Sequence, residues 1–120
     1  MSVDERDAAY LWDMLQGATK TMRAVQGTSF AQYLADEDLR LIVERRIEII
    51  GEAARRVSEA FRAEHPDVPW RSMIGQRNVM AHEYDEIDHE RVWNVVTVEL
   101  PRLVQALKPL VPPPPPETSE

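Results

Sequence analysis

The chain has no cysteine, which excludes disulfides, zinc sites built on thiolates and cysteine nucleophiles. No apolar run approaches the roughly 20 residues needed to span a bilayer. The opening Met1-Ser2-Val3-Asp4-Glu5-Arg6-Asp7 is acidic where a secretory signal would carry an apolar core. Glycine-rich phosphate loops, internal repeats and the alternating pattern of a strand are all missing. Positive charge is scarce as well: 14 Lys and Arg stand against 21 Asp and Glu, a net charge of -7. That balance argues against broad, charge-driven adhesion to nucleic acid, and neither DNA nor a membrane is expected as a partner. A cytoplasmic location fits these absences best. The 120 residues are enough for one domain with one sizeable core.

What is present reads as helix throughout, so the expected fold is all-α, an up-down antiparallel bundle. Residues 4–26 place Leu11, Met14, Leu15, Ala18, Met22 and Val25 at three- and four-residue steps, and Gly27 stands where a left-handed cap would stop the helix. Phe30, Tyr33 and Leu34 suggest one extra turn. Asp36 is a good N-cap for a second long helix, with Glu37 and Asp38 favoured in its first turn. Its apolar stripe takes in Leu39, Ile42, Val43, Ile50, Ala53, Ala54, Val57, Ala60 and Phe61, and Pro66 predicts an end near Glu64. Gly51 inside that helix costs about 1 kcal/mol relative to alanine and is explained by close approach of a neighbouring helix. Arg40 with Glu44, Glu52 with Arg56 and Arg55 with Glu59 fall at i,i+4 spacing, the pattern of solvated ion pairs. Glu48 and Glu52 read as interhelical partners, and His65 and His89 as surface residues.

Pro69-Trp70 opens a shorter third helix that Gly75 divides, and Asp88 caps the last one. There Val92, Val95, Val96, Leu100, Leu103, Val104 and Leu107 form the apolar face. Pro101 cannot donate to the carbonyl of Thr97, which predicts a kink. Trp70 and Trp93 read as core aromatics. The domain is expected to span residues 1–108. Residues 109–120, with five consecutive prolines, are expected to form a disordered tail of polyproline II character.

The chemistry concentrates in Arg77-Asn78-Val79-Met80-Ala81-His82-Glu83-Tyr84, an R-x4-H-x-Y arrangement. Arginine is a permanently charged, fork-shaped phosphate binder. Histidine both takes and gives a proton near neutrality. Together they can move a proton beside a phosphodiester and neutralise the charge that develops. On a straight helix, however, five residues separate Arg77 and His82 by roughly 140° and about 7.5 Å along the axis. Either the helix ends near His82 and lets it swing, or two copies of the chain complete each other's site.

An up-down helical domain carrying R-N-x-x-x-H-x-Y before its last helix resembles the HEPN superfamily, and more narrowly the HepT-like toxins of toxin–antitoxin pairs. Arg45 to Ala54 (RRIEIIGEAA) looks like that family's second-helix signature, and Pro69 to Asn78 (PWRSMIGQRN) resembles its approach to the arginine. Val92-Trp93 and Leu100-Pro101 fit its last helix, so the resemblance covers about residues 4–108. It implies a metal-independent ribonuclease with no cofactor, acting as a homodimer in which the two R-x4-H motifs meet. Arg77 and His82 would be catalytic and Asn78 supporting. It also implies a small nucleotidyltransferase antitoxin, as in type VII-like systems, that silences the toxin by transferring AMP to Tyr84. Two other readings compete: a non-catalytic nucleotide- or partner-binding subunit of a nucleotidyltransferase complex, and a plain dimerising module. Arg77, His82 and Tyr84 speak against the last, which needs none of them.

Overall fold

A computed structural model describes residues 4–82 and 87–112, with the side chains of Ala81 and His82 excepted. The described residues are helical, with no strand among them. Helix α1 spans Glu5–Val25, α2 Phe30–Ala35, α3 Glu37–Arg56, α4 Glu59–Glu64, α5 Trp70–His82, α6 His89–Asn94 and α7 Leu100–Leu107, with a π-helical segment, Val95–Glu99, joining the last two. Helix α3 lies at the centre, packed on α1 along one side and on α5 along another, and α7 closes against α1. The all-α bundle expected from the periodicity is what forms.

Most helix ends obey the local signals. Asp4 opens α1 by accepting from the Arg6 N–H. Gly27, at φ 76°, is the one described residue in the left-handed region and follows the end of α1. Ser29 and Gln32 cap α2 reciprocally, side chain to backbone in both directions. Asp36 accepts from the Leu39 N–H at the start of α3, and Asp88 from the Glu90 and Arg91 N–H groups at the start of α6. Gly75 does not divide α5, which runs unbroken to His82.

The end of the second long helix differs from the expectation for a reason that lies outside the local sequence. The second long helix does not continue to Glu64. It stops at Arg56, and α4 begins afresh at Glu59 with the Ser58 hydroxyl accepting from the Phe61 N–H. The cause is Asp7, 6% exposed on α1: its carboxylate accepts from the Ser58 backbone N–H at 2.8 Å and from the Ser58 hydroxyl at 2.6 Å. Those bonds satisfy groups that a continuous helix would have paired internally. At Pro101 the helix departs from α geometry, as the missing N–H led one to expect, and it does so by a π-helical turn. The Leu100 N–H reaches back five residues to the Val95 carbonyl, so the helix widens by one residue just before the proline ring. That widening takes up the conflict a proline creates with the preceding turn.

The core is a single cluster of Leu11, Met14, Val43, Ile47, Ile50, Met73, Leu100, Leu103 and Leu107 with smaller residues between them. Trp70 belongs to it, its indole N–H donating to the His65 carbonyl at 2.9 Å. Trp93 stacks against Tyr33 with ring centroids 5.1 Å apart, which docks α2 onto α6. The expected stripe is corrected at Ile42, which is 46% exposed, and at Ala60, also exposed; Leu41 and Ile49 of α3 are open to solvent as well, on either side of the exposed Arg45. His65 and His89 are half-buried, not surface residues: His65 lies against the Phe61 ring, and His89 Nδ1 is 3.9 Å from Glu44. Residues 113–120 of the proline-rich tail lie outside the described residues.

Replacing Asp7 by alanine removes the carboxylate that accepts from the Ser58 N–H and hydroxyl, and hydrogen bonds to a charged group contribute about 1.5–3 kcal/mol. Urea unfolding is expected to show that loss. Ser58→Ala, which removes only the hydroxyl bond and the α4 cap, should lose less.

Candidate functional site

The site begins where α5 crosses α3 at Gly51. A Cβ built on Gly51 would lie 2.1 Å from the Arg77 Cβ and 2.5 Å from the Met73 carbonyl oxygen. No side chain fits there, so glycine is what lets α5 seat its Arg77 turn directly on α3, as the cost of an interior glycine suggested. One turn of α1 is treated in the same way: a Cβ at Gly17 would meet Ile50 Cγ1 at 2.8 Å. Thus Ile50 and Gly51, adjacent in sequence, receive α1 and α5 from two sides.

Helix α5 buries Trp70, Met73, Gln76 and Met80, steps of three and four that define its inner face. Arg77 stands at the edge of that face with its side chain 26% exposed. Its Nε lies 3.2 Å from Glu52 Oε2, and its Nη1 donates to Asn78 Oδ1 at 3.0 Å. The Nε–H is buried and not aligned on the carboxylate, so the Glu52 contact is a charge attraction more than a directed hydrogen bond. The other carboxylate oxygen, Glu52 Oε1, accepts from Arg55 Nη2 at 2.8 Å and from Arg56 Nε at 2.9 Å. Three guanidinium groups therefore converge on one carboxylate. The bonds from Arg55 and Arg56 hold its pKa down at about 2, with the Arg77 charge adding to the effect.

This network settles several pairings. Glu52 with Arg56 forms as the spacing suggested, and Glu52 also reaches across to α5 as an interhelical partner. Arg55 pairs with Glu52, not with Glu59. Glu48 pairs within its own helix, with Arg45 at 3.2 Å, so the interhelical role expected for it is corrected. Arg40 gives its guanidinium to the Leu34 carbonyl, and Glu44 faces His89. Burial pushes the Glu44 carboxyl above its ordinary range, while His89 and Arg40 oppose that rise. Beside it, burial raises the Tyr33 phenol to about 12.

Arg77 also lines a cleft of about 290 Å³ between α1 and α3, with Tyr10 and Asp13 on the α1 side and Arg45, Glu48 and Arg56 on the α3 side. Of the residues singled out from sequence, Arg77 and Asn78 stand together here, Asn78 exposed and bonded to the arginine. His82 is the last residue of α5, on the same unbroken helix as Arg77. The side chain of His82 and the whole of Tyr84 lie outside the described residues. Tyr10 and Asp13 carry no motif, and only the tertiary packing of α1 on α3 brings them to the cleft. Chemically, the arrangement offers a pre-oriented guanidinium at the mouth of a cleft that bears both charges and an aromatic ring.

A family model described as "Ribonuclease HepT-like" matches residues 14–110. Three relatives are provisionally named as ribonucleases. One, an RNase by name from Methanocaldococcus jannaschii, is 33% identical over 84% of this chain and 94% of its own length. Another, an RNase by name from Caldanaerobacter subterraneus subsp. tengcongensis, is 32% identical over 85% of this chain and 91% of its own length. A third, from Thermococcus cleftensis and named ribonuclease HepT, is 31% identical over 78% of this chain and 86% of its own length. No solved structure matches the chain.

The depressed Glu52 pKa carries a pH dependence whose sign follows from linkage. The folded carboxyl titrates at about 2 against an ordinary 4.5, so the unfolded chain binds that proton more tightly. The stabilisation is complete above the ordinary value and is lost as pH falls towards about 2. Glu52→Gln is expected to lower the melting temperature at neutral pH, with the gap to wild type closing through that acid window. A gap of constant size would assign the effect to packing, not charge.

Proposed function

The chain belongs to the HepT-like ribonuclease family, and from that premise we propose that it is the metal-independent ribonuclease toxin of a type VII-like toxin–antitoxin pair, working in the cytoplasm. The observation that carries the reading is the Arg77 guanidinium, fixed by Glu52 and Asn78 on the helix that ends at His82. A guanidinium held on its Nε side and at Nη1 presents Nη2 to a phosphate with little rotamer freedom left to lose.

In this reading the ribose 2′-oxygen attacks the neighbouring phosphorus and the bond from phosphorus to the 5′-oxygen breaks, leaving a cyclic phosphate. His82 of one subunit takes the 2′-hydroxyl proton, and His82 of the same or the second subunit supplies a proton to the departing 5′-oxygen. Arg77 stabilises the charge that gathers on the phosphoryl oxygens. Because Arg77 and His82 diverge by roughly 140° on an α-helix, a homodimer with the motif helices facing each other supplies the missing geometry. The exposed Leu41, Ile42 and Ile49 on α3, which run towards Glu52 and Arg77, offer such a dimer an apolar seam. The antitoxin would be a nucleotidyltransferase that attaches AMP to Tyr84, adding bulk and negative phosphate where RNA must enter.

Purified wild type should cleave RNA in the presence of EDTA, and light scattering should give the mass of a dimer. Arg77→Ala and His82→Ala should each lose at least about 100-fold in rate, the scale of a missing charge donor or proton carrier. Mixing the two dead variants should restore part of the activity through heterodimers. A wild type inactive on every RNA tested would favour the non-catalytic binding subunit.

Tyr84→Phe should keep its toxicity and escape the nucleotidyltransferase. Intact mass after coexpression is expected to show one added AMP on wild type and none on the variant. Equal protection against both proteins would show that the partner silences by binding alone.

A further inference from the structure

We propose that the cleft between α1 and α3 is a base-binding subsite for the RNA nucleotide next to the phosphodiester held by Arg77, with the Tyr10 ring as stacking platform and the Asp13 carboxylate as acceptor for the base's N–H groups. The proposal rests on the ribonuclease reading above and deepens it.

Position comes first. Arg77 is part of the cleft wall, so a strand whose phosphate lies on that guanidinium places its next unit in the cleft. Size comes second. About 290 Å³ is at the small end for ligand sites and suits a single base with its sugar, not a folded RNA element.

Charge decides between base and phosphate. The cleft holds Arg45, Arg56 and Arg77 against Asp13, Glu48 and Glu52. Glu52 already takes Arg56 and Arg77, and Glu48 takes Arg45. Each of these arginines already contacts a carboxylate, and with Asp13 counted the lining carries three positive and three negative charges, so a second phosphate would find no net positive charge. Asp13 is different: it is exposed and makes no ion pair among the described residues. An ionised carboxylate only accepts hydrogen bonds, so it selects groups that donate, such as the exocyclic amines of adenine, cytosine and guanine.

The aromatic partner stands one turn away. Tyr10 and Asp13 are three residues apart on α1, hence neighbours on its surface. Tyr10 is half-buried, with Arg56 against its hydroxyl, which holds the ring without covering it. A tyrosine ring beside a backbone-binding arginine is the usual makeup of a single-strand nucleotide site. A second copy seated on α3 would adjoin this cleft along Ile49, while Tyr10 and Asp13 on α1 form the opposite wall.

The test uses the full-length protein and short RNA oligonucleotides carrying 2′-O-methyl ribose throughout, which cannot be cleaved by 2′-oxygen attack. Fluorescence anisotropy would compare wild type, Tyr10→Ala, Tyr10→Phe and Asp13→Asn, with dimer mass and melting temperature measured alongside. Tyr10→Ala should weaken binding about tenfold, while Tyr10→Phe stays within about twofold, as stacking requires. Asp13→Asn, an exposed change that leaves folding intact, should erase the preference for amine-bearing bases over uracil. Unchanged binding by Tyr10→Ala, or an unchanged base preference in Asp13→Asn, would overturn the subsite. So would a loss in Tyr10→Ala that tracks loss of the dimer, which would give the cleft to the second copy. Free AMP should bind at least about 100-fold more weakly than the oligonucleotide, and AMP binding equal to RNA would reassign the cleft to a mononucleotide. Wild type that neither binds nor cleaves RNA would instead sink the ribonuclease reading itself.

Discussion

Everything at the site depends on how closely α5 is allowed to approach α3. At Gly51 the two helices meet with no room for a methyl group, and the atom that fills the space is the Cβ of Arg77. A larger residue at 51 would collide with the Met73 carbonyl, which belongs to the backbone and cannot rotate away. The consequence is chemical as well as steric. With Arg77 seated at residue 51, residue 52 faces the guanidinium, so one glycine sets the distance at which a carboxylate can hold the arginine. Dense interiors transmit a displacement of this kind instead of absorbing it.

The carboxylate in turn works under two opposing demands. It must stay ionised to orient Arg77, yet in the role proposed for Arg77 a permanent anion beside the guanidinium weakens the field a phosphate would feel. Sharing Glu52 among three guanidinium groups reconciles them. Arg55 and Arg56 hold the carboxyl ionised down to about pH 2 and share its Oε1, with Arg55 Nε also reaching Oε2 at 3.4 Å, so Arg77 is steadied by an anion already largely satisfied. The far end of α3 shows the opposite logic. There Glu44 is desolvated and its pKa rises, with the half-buried His89 on α6 as its nearest partner. One helix thus presents a carboxylate whose pKa is held down at the Arg77 contact and another whose pKa is pushed up beside α6.

How much of this was legible in the sequence depended on how local the cause was. Gly27, Asp36 and Asp88 act on backbone groups within three residues, and each element begins or ends where those residues said it would. The glycine at 51 was readable as a close approach because its cost inside a helix needs a reason, although not which residue would come close. The break at Val57–Ser58 was not legible, because the acceptor that stabilises it is Asp7, 51 residues earlier. Ile42 was misplaced because the α3 stripe is apolar on more than one face, and hydropathy alone does not say which face meets the core. Pro101 was recognised as a conflict, and the helix answers it with a π-helical turn just before the ring, a form that the missing N–H alone does not specify. At the site, Arg77 and Asn78 stood out by spacing. Tyr10 and Asp13 had no signal, since a tyrosine and an aspartate three apart on an amphipathic helix are ordinary.

A chain of net charge -7 that handles RNA must obtain its affinity differently from a basic nucleic-acid binder. Proteins that coat the backbone gain from counterion release at many phosphates, and their affinity falls steeply with salt, by a slope of about 0.7 for each single-strand contact. Here Arg45, Arg55, Arg56 and Arg77 share two carboxylates, Glu48 and Glu52, which lowers the charge that each guanidinium presents to a phosphate and with it the salt-sensitive term. Binding must then lean on shape and stacking, terms that salt hardly touches. Low positive charge is therefore compatible with a nuclease so long as its few guanidinium groups are held in place, which returns the requirement to the contact between Gly51 and Arg77.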